Sequence, residues 1–462
     1  MTIAWTVLKI AVVLAAGAWL TMRGIPWVFV RAGRLLGFPM KFGPTTAKRV
    51  ARFKQIRRGY WAFVAITTLL VLSLFLELLV NHKPLAIRFE GRVAFPAFKE
   101  WLGKALFFVP ISSFCKKEDF GQAGRSEVDY RAFARACREP DAALAEARKA
   151  FEAERAEFVQ NDPPPPADAP EARKKRWQDR FDRKFAKKAR ELEAVERDTE
   201  AFRAGRAWSI QTLYPHGPEE TRLEFDEPAP NKPSIRLGIP LGTDMSGRDV
   251  FVQLVYGFRI ALAFALIVAL AGTAVGVVVG GVQGYYSGWV DIVTQRVEEI
   301  WSSIPFLYVI MIVAAMTTPT FLLLVALMLV LRSWLGITYY VRGEFYREKA
   351  KDYVHAAIGT GVSDWKVMIL HMLPNSMVPV VTFTPFAIVG YIGVLVSLDY
   401  LNFGLPPPSW GVLLRQGLEN VKFHPHLIVI PSVTLAATLY LIVLVGEAVR
   451  EAFDPKVFSR LR

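Results

Sequence analysis

Long apolar runs separated by charged stretches dominate the chain, and their lengths predict helices rather than strands. Runs near or above the roughly 18 residues needed to cross a bilayer fall at about 3–22, 60–80, 260–284, 302–319, 321–341, 376–398 and 427–447. The pattern predicts an all-α polytopic membrane protein with seven spans. One polar stretch, 81–250, is far longer than a connection between spans requires. Within it, Leu144, Ala147, Phe151 and Phe158 follow helical spacing, as do Trp177, Phe181, Phe185, Leu192 and Val195, and "NDPPPPADAP" (161–170) separates the two sets. A helical hairpin is expected, its second arm (171–204) reaching about 50 Å at roughly 1.5 Å per residue.

Composition fits this division. Of 462 residues, 53% are hydrophobic and 21% charged, a combination that works only if the two kinds are segregated along the chain. The formal net charge of +14 does not point to nucleic acid, because of where it sits. Residues 22–60 carry ten Lys or Arg and no acid, the mark of a short cytoplasmic segment beside a span, in reach of anionic membrane lipid. Within 141–200, 14 basic and 15 acidic residues nearly balance, which reads as a solvated helical surface. With 22–60 inside, alternation places 81–250 outside, 342–375 inside, 399–426 outside and the C-terminus in the cytoplasm. The first run is either a cleaved signal peptide or a retained span. Cleavage would leave the basic block exported, so the retained span fits better.

The cytoplasmic stretch "YVHAAIGTGVSDWKVMILHMLPN" (353–375) has a compact organisation. Residues 342–360 read as helix, Gly359 and Gly361 interrupt it, and a second helix resumes with Ser363 or Asp364 as its N-cap. Trp365, Ile369 and Met372 recur at helical spacing, which predicts one apolar face, and Pro374 ends the unit and starts the next span. Chemistry alone leaves two readings open: a linker on the membrane surface, or a docking helix for another protein.

The Ala pair, the Gly four residues later and the terminal Leu-Pro of that stretch resemble the cytoplasmic EAA loop of ABC importer permeases. Seven further motifs, "LGTDMSGRDV" (241–250), "YGFRIAL", "QGYYSGWVD" (283–291), "EIWSSIPFLYVI", "RGEFYREKAKDYVHAA", "SLDYLNFGLPPP" (397–408) and "GEAVREAFDP" (446–455), are similar to the C-type permeases of the oligopeptide, dipeptide and nickel group. The set is most similar to the YejE-type branch, associated with peptide and microcin C uptake. The resemblance covers 57–100 and about 238–455. It implies a six-helix type I permease core, here with an added N-terminal helix and a helical external insertion. It also implies that the 342–375 loop fits a groove on a cytoplasmic ATPase. Ala356, Ala357 and Gly361 would then form the close-packed part, with Asp364 opening the second helix and Leu373 and Pro374 closing the unit. His355 stands where the motif usually has Glu. The implied partners are a second permease subunit forming a heterodimer, ABC ATPase subunits carrying ATP and Mg, and a periplasmic solute-binding protein. No cofactor would bind this chain, and the chain is no enzyme.

The remaining chemistry is sparse. Gly272, Gly276, Gly280 and Gly284 lie four apart, a small-residue face for close helix packing either within the chain or between subunits. Arg332 lies in the middle of an apolar run, where an Arg costs about 2.5–3.5 kcal/mol on insertion scales. It is expected to face the translocation path and meet a substrate carboxylate, the alternative being an Arg that snorkels to an interface. His424 and His426 make a weak metal signal, and no metal site is expected. No phosphate loop of the form G-x-x-x-x-G-K-[ST] is present, so any ATP must bind another polypeptide. Cys115 and Cys137 both lie in the external stretch, where an oxidising compartment favours a disulfide. Residues 101–237 have no recognised counterpart and exceed the matching loop of similar permeases. They read either as a lineage-specific elaboration or as a docking surface. The resulting division is 1–58, a helix and basic segment; 59–80, the first core helix; 81–250, the external stretch; 251–455, the core; and 456–462, a tail. A secondary carrier without ATPase partners, or an envelope scaffold using the external hairpin, are the competing classes. The first lacks the intramembrane acids that ion coupling uses.

Overall fold

A computed structural model describes residues 12–24, 44–89, 92–105, 128, 130–166, 170–222 and 228–453. The chain forms two compact units, Phe75–Glu220 and the remainder. In the remainder, α1 (Val12–Arg23), α2 (Pro44–Gln55) and α3 (Arg57–Ser73) come first. The Thr21 and Thr68 hydroxyls, 3.1 Å apart, hydrogen-bond α1 to α3. The run read as a span at 60–80 is not one continuous helix. Helix α3 stops at Ser73, whose Oγ donates to the Leu70 carbonyl at 2.7 Å, a side-chain bond that competes with the backbone ladder.

The unit Phe75–Glu220 departs from the all-helical expectation by a small sheet. Strand β1 (Ala86–Phe89) pairs antiparallel with β2 (Arg92–Ala94) on one side, and with β3 (Trp208–Ile210) on the other. Between the strands in sequence lie α4 (Tyr130–Arg138), α5 (Pro140–Asn161) and α6 (Glu171–Arg203). Ile87, Phe89, Phe133 and Ala201 bury a local core there. Helices α5 and α6 are the expected hairpin. Phe158 meets Trp177, Phe181 and Phe185 at ring distances of 6.3, 5.8 and 5.5 Å, and Phe151 meets Phe185 at 6.0 Å. Ion pairs Arg148–Glu196 and Arg180–Asp162 flank this aromatic ladder.

The membrane core follows. Its elements are α7 (Val250–Tyr286), α8 (Gly288–Ser302), α9 (Phe306–Met316), α10 (Phe321–Leu331), α11 (Leu335–Lys349), α12 (Asp352–Gly359), α13 (Asp364–Tyr400), α14 (Trp410–Glu419) and α15 (His426–Phe453). By length and composition α7, α13 and α15 can cross a membrane, and two bent pairs, α8–α9 at 59° and α10–α11 at 41°, raise the number to five. Seven were expected. The run at 3–22 falls partly outside the described residues, 60–80 is shortened at Ser73, and 302–319 is broken where Pro305 cannot donate to the preceding turn. The second bend interrupts 321–341 at residues 332–334. There the freed Val330 carbonyl accepts from the indoles of Trp301 (2.9 Å) and Trp334 (3.2 Å), and the Ser333 carbonyl from the Tyr391 hydroxyl (3.1 Å).

Helix α7 is the centre of the packing, and the glycine stripe explains how. A Cβ at Gly272 would lie 2.4 Å from Ser333 Oγ, at Gly276 2.0 Å from Ile337 Cγ2, at Gly280 2.5 Å from the Thr338 carbonyl and at Gly284 2.5 Å from Phe345 Cβ. Every one of those atoms belongs to α11 or the residues just before it. The stripe is therefore an intrachain seam between α7 and α11. At the other end of α7, Asp249 caps it by accepting from Phe251 N–H at 2.9 Å, and the Trp410 indole donates to the Leu254 carbonyl at 2.9 Å.

Candidate functional site

Helix α11 leads straight into the 350–375 stretch, so the seam that fixes α11 also fixes this unit. The expected helix over 342–360 is two helices: α11 ends at Lys349, and Lys351, in extended conformation, opens α12. Helix α12 ends in a Schellman arrangement, with Gly361 N–H on the Ile358 carbonyl (2.9 Å) and Val362 N–H on the Ala357 carbonyl (3.1 Å). That closure needs a left-handed residue, and Gly361 supplies it at φ +79°. Ser363 then stands at the N-cap of α13, although its side chain makes no capping bond.

Pro374 does not end the unit. Helix α13 runs unbroken from Asp364 to Tyr400, with Val367–Met372 wound as π-helix just before the proline. A wider turn accommodates a residue that has no N–H to donate. The His371 carbonyl accepts from Asn375 Nδ2 at 3.3 Å. The π turn also divides the expected apolar face. Met372 is buried with Val354, Val367 and Met368 against Tyr285, Val341 and Phe345, whereas Trp365 and Ile369 face outward.

Two sets of side chains result. The inner set anchors the unit. Asp364 accepts from the Tyr285 hydroxyl at 2.7 Å, Lys349 Nζ donates to the Tyr285 carbonyl, and Tyr353 donates to Glu348. Burial and that bond to Glu348 push the Tyr353 phenol above its ordinary range. Nearby, Arg342 forks onto both oxygens of Asp291 at 2.5 and 2.7 Å, with Tyr346 donating to the same carboxylate. Sequence reading missed this pair. The partner of Arg342 lies 51 positions away, and no local spacing points to it.

The outer set is a patch. His355, Ala356 and Pro374 are exposed, and Ala357 and Leu373 half-buried. Ile358 (42% exposed), Trp365 (57%), Ile369 (49%) and Leu370 (64%) add large apolar side chains to the same short stretch. These exposed apolar side chains thus lie on one short stretch whose base is buried.

Elsewhere, Arg332 sits in the bend between α10 and α11, on the wall of a cavity of about 520 Å³ that also touches Tyr339, Tyr340 and Tyr391. Cys137 has no disulfide partner among the described residues, burial raises its thiol pKa to about 11 against a bond to Ser209, and Cys115 lies outside the described residues. Among the described residues, no cluster of three or more His, Cys, Asp or Glu is arranged to hold a metal, and His424 and His426 stack edge to face, 5.9 Å apart.

Comparison with known proteins gives this geometry its context. Residues 272–459 match the family described as binding-protein-dependent transport system inner membrane component. The peptidoglycan transport system permease protein YejE of Agrobacterium fabrum is 35% identical over 90% of this chain and 94% of its own length. The inner membrane ABC transporter permease protein YejE of Escherichia coli K12 is 33% identical over 90% of this chain and 98% of its own. The oligopeptide permease OppC of Haemophilus influenzae is 32% identical over 53% of this chain and 78% of its own. The chain belongs to the binding-protein-dependent ABC transport permeases, multi-pass inner-membrane proteins that work with a binding protein and an ATPase and are not themselves catalytic.

Proposed function

We propose that the chain is the C-type half of a heterodimeric permease that carries peptides or peptide-like solutes inward, with ATP and Mg bound on partner ATPases. In this reading the 350–375 unit faces the cytoplasm, as does the C-terminus, and the ATPase docks on it through Ala356, Ala357, Gly361, Leu373 and Pro374. The observation that carries the reading is the pairing of a fully buried base (Val354, Val367 and Met372, each 0% exposed) with an apolar outer patch. Force applied to the patch passes through α11 and the glycine seam into α7. The basic charge of 22–60 supports the orientation. The peptide assignment draws on relatives named for oligopeptide, dipeptide and peptidoglycan transport.

Purification of the assembled complex with two variants tests the docking. Gly361→Trp strains the left-handed turn itself, while Leu370→Asp alters an exposed side chain and leaves the backbone alone. ATPase subunits should copurify with wild type and be lost with both variants. Retention of the ATPase by both would remove the docking role.

A further inference from the structure

We infer that the bend between α10 and α11 is a binding site for a carboxylate of the transported solute, an inference that rests on the peptide reading above. Arg332 is the twelfth residue of the bent pair, about 17 Å from its Phe321 end at roughly 1.5 Å per residue, and so near the middle of a hydrocarbon core about 30 Å thick. Its side chain is exposed, and among the described residues no hydrogen bond or ion pair reaches it. A cation at that depth is tolerated where water or an anion meets it, and the cavity beside it supplies the space. About 520 Å³ is the size of a small-molecule site rather than a packing defect.

Three further features select an anion. The bend starts a new helix inside the span, and Leu335, Gly336 and Ile337, the first turn of α11, line the cavity. The opening N–H groups of a helix have no intrahelical acceptor, and the helix dipole places partial positive charge there. Ser333, only 6% exposed and also on the cavity wall, keeps a buried hydroxyl with no partner. The phenols of Tyr339 and Tyr340 add donors to the wall, and Tyr391, whose hydroxyl already donates to the Ser333 carbonyl, adds an aromatic face. The bend's own carbonyls at Val330 and Ser333 are already occupied by indole and phenol donors. What faces the cavity is thus a surplus of donors around one positive charge, suited to a carboxylate on a solute whose apolar parts lie against the rings.

The test compares one peptide as its free acid and as its C-terminal amide, transported by the reconstituted complex with wild-type chain, Arg332→Gln or Arg332→Lys. The same binding protein serves all three, so its own preference cancels in the ratio of acid to amide uptake. That ratio should fall roughly ten-fold in Arg332→Gln, the loss expected for a charge-assisted hydrogen bond, and recover in part in Arg332→Lys. An unchanged ratio would overturn the inference while the peptide reading stands. An equal fall for acid and amide leaves that ratio unchanged and would overturn it as well. A wild-type complex that moves neither form would overturn the peptide reading, and this inference with it.

Discussion

Replacing Gly280 by alanine adds one methyl group at the tightest backbone contact of the α7–α11 seam. The new Cβ would lie 2.5 Å from the Thr338 carbonyl oxygen and 3.1 Å from both Arg342 N and Val341 Cβ. Ordinary contact begins near 3.4 Å, so the helices must part by about 1 Å, because no side-chain rotation relieves a clash with backbone. Overpacking of this kind costs about 1–3 kcal/mol, and the helix preference of Ala over Gly returns up to about 1 kcal/mol. A net loss of about 1–2 kcal/mol is expected. Gly343 on α11 is the internal control, since a Cβ there meets nothing within 4 Å. Gly343→Ala should be neutral or slightly stabilising. Thermal unfolding of the purified chain, followed by tryptophan fluorescence, reads the difference. Equal stability of the two variants would refute the seam. Because α11 continues into the 350–375 unit, proposed above as the ATPase contact, Gly280→Ala should also lower coupled transport more than its stability loss alone would.

Three other outcomes follow from the geometry. Phe185, 4% exposed among Phe151, Phe158 and Phe181, holds the hairpin together; Phe185→Ala should cost about 3–5 kcal/mol locally and open α5 and α6 to protease, with the membrane core uncut. Cys137, its pKa raised to about 11 by burial, should react with iodoacetamide at pH 8 about 100-fold more slowly than a thiol of ordinary pKa near 9, since only the thiolate attacks. Its reactivity should rise with pH toward 11, whereas a thiol that stays blocked in denaturant without reductant would instead establish pairing with Cys115. Tyr353→Phe removes the hydroxyl that accepts from Asn375 and donates to Glu348; hydrogen exchange should quicken across 352–375 while the rest of the core keeps its protection.

Much of this organisation was legible in the sequence because it follows from periodicity and residue size. The hairpin was read from aromatic spacing and a proline run, and its arms end within a residue of the expected bounds. The four glycines announced a close helix contact, although only the structure shows that Ser333, Ile337, Thr338 and Phe345 of the same chain fill it. What was missed depends on long-range partners or local rewinding. The π turn at Val367–Met372 rotates Met372 inward and Trp365 outward, a change invisible to any fixed helical period. The bends at Pro305 and at 332–334 split apolar runs that hydropathy alone reads as continuous, and at the second bend indole and phenol donors from distant positions satisfy the broken turn. Arg332 was noticed as a charge out of place. Its setting on a cavity wall, beside a helix N-terminus, came from the bend.

The central claim is that ATP hydrolysis on partner subunits drives this permease through the 350–375 patch. The most direct measurement is solute uptake into proteoliposomes holding the full complex with its binding protein, using wild type and Leu370→Asp. Uptake should require ATP in wild type and fall to the ATP-free level in Leu370→Asp, with the amount of permease inserted unchanged. Uptake that proceeds without ATP, or that Leu370→Asp leaves intact, would contradict the account.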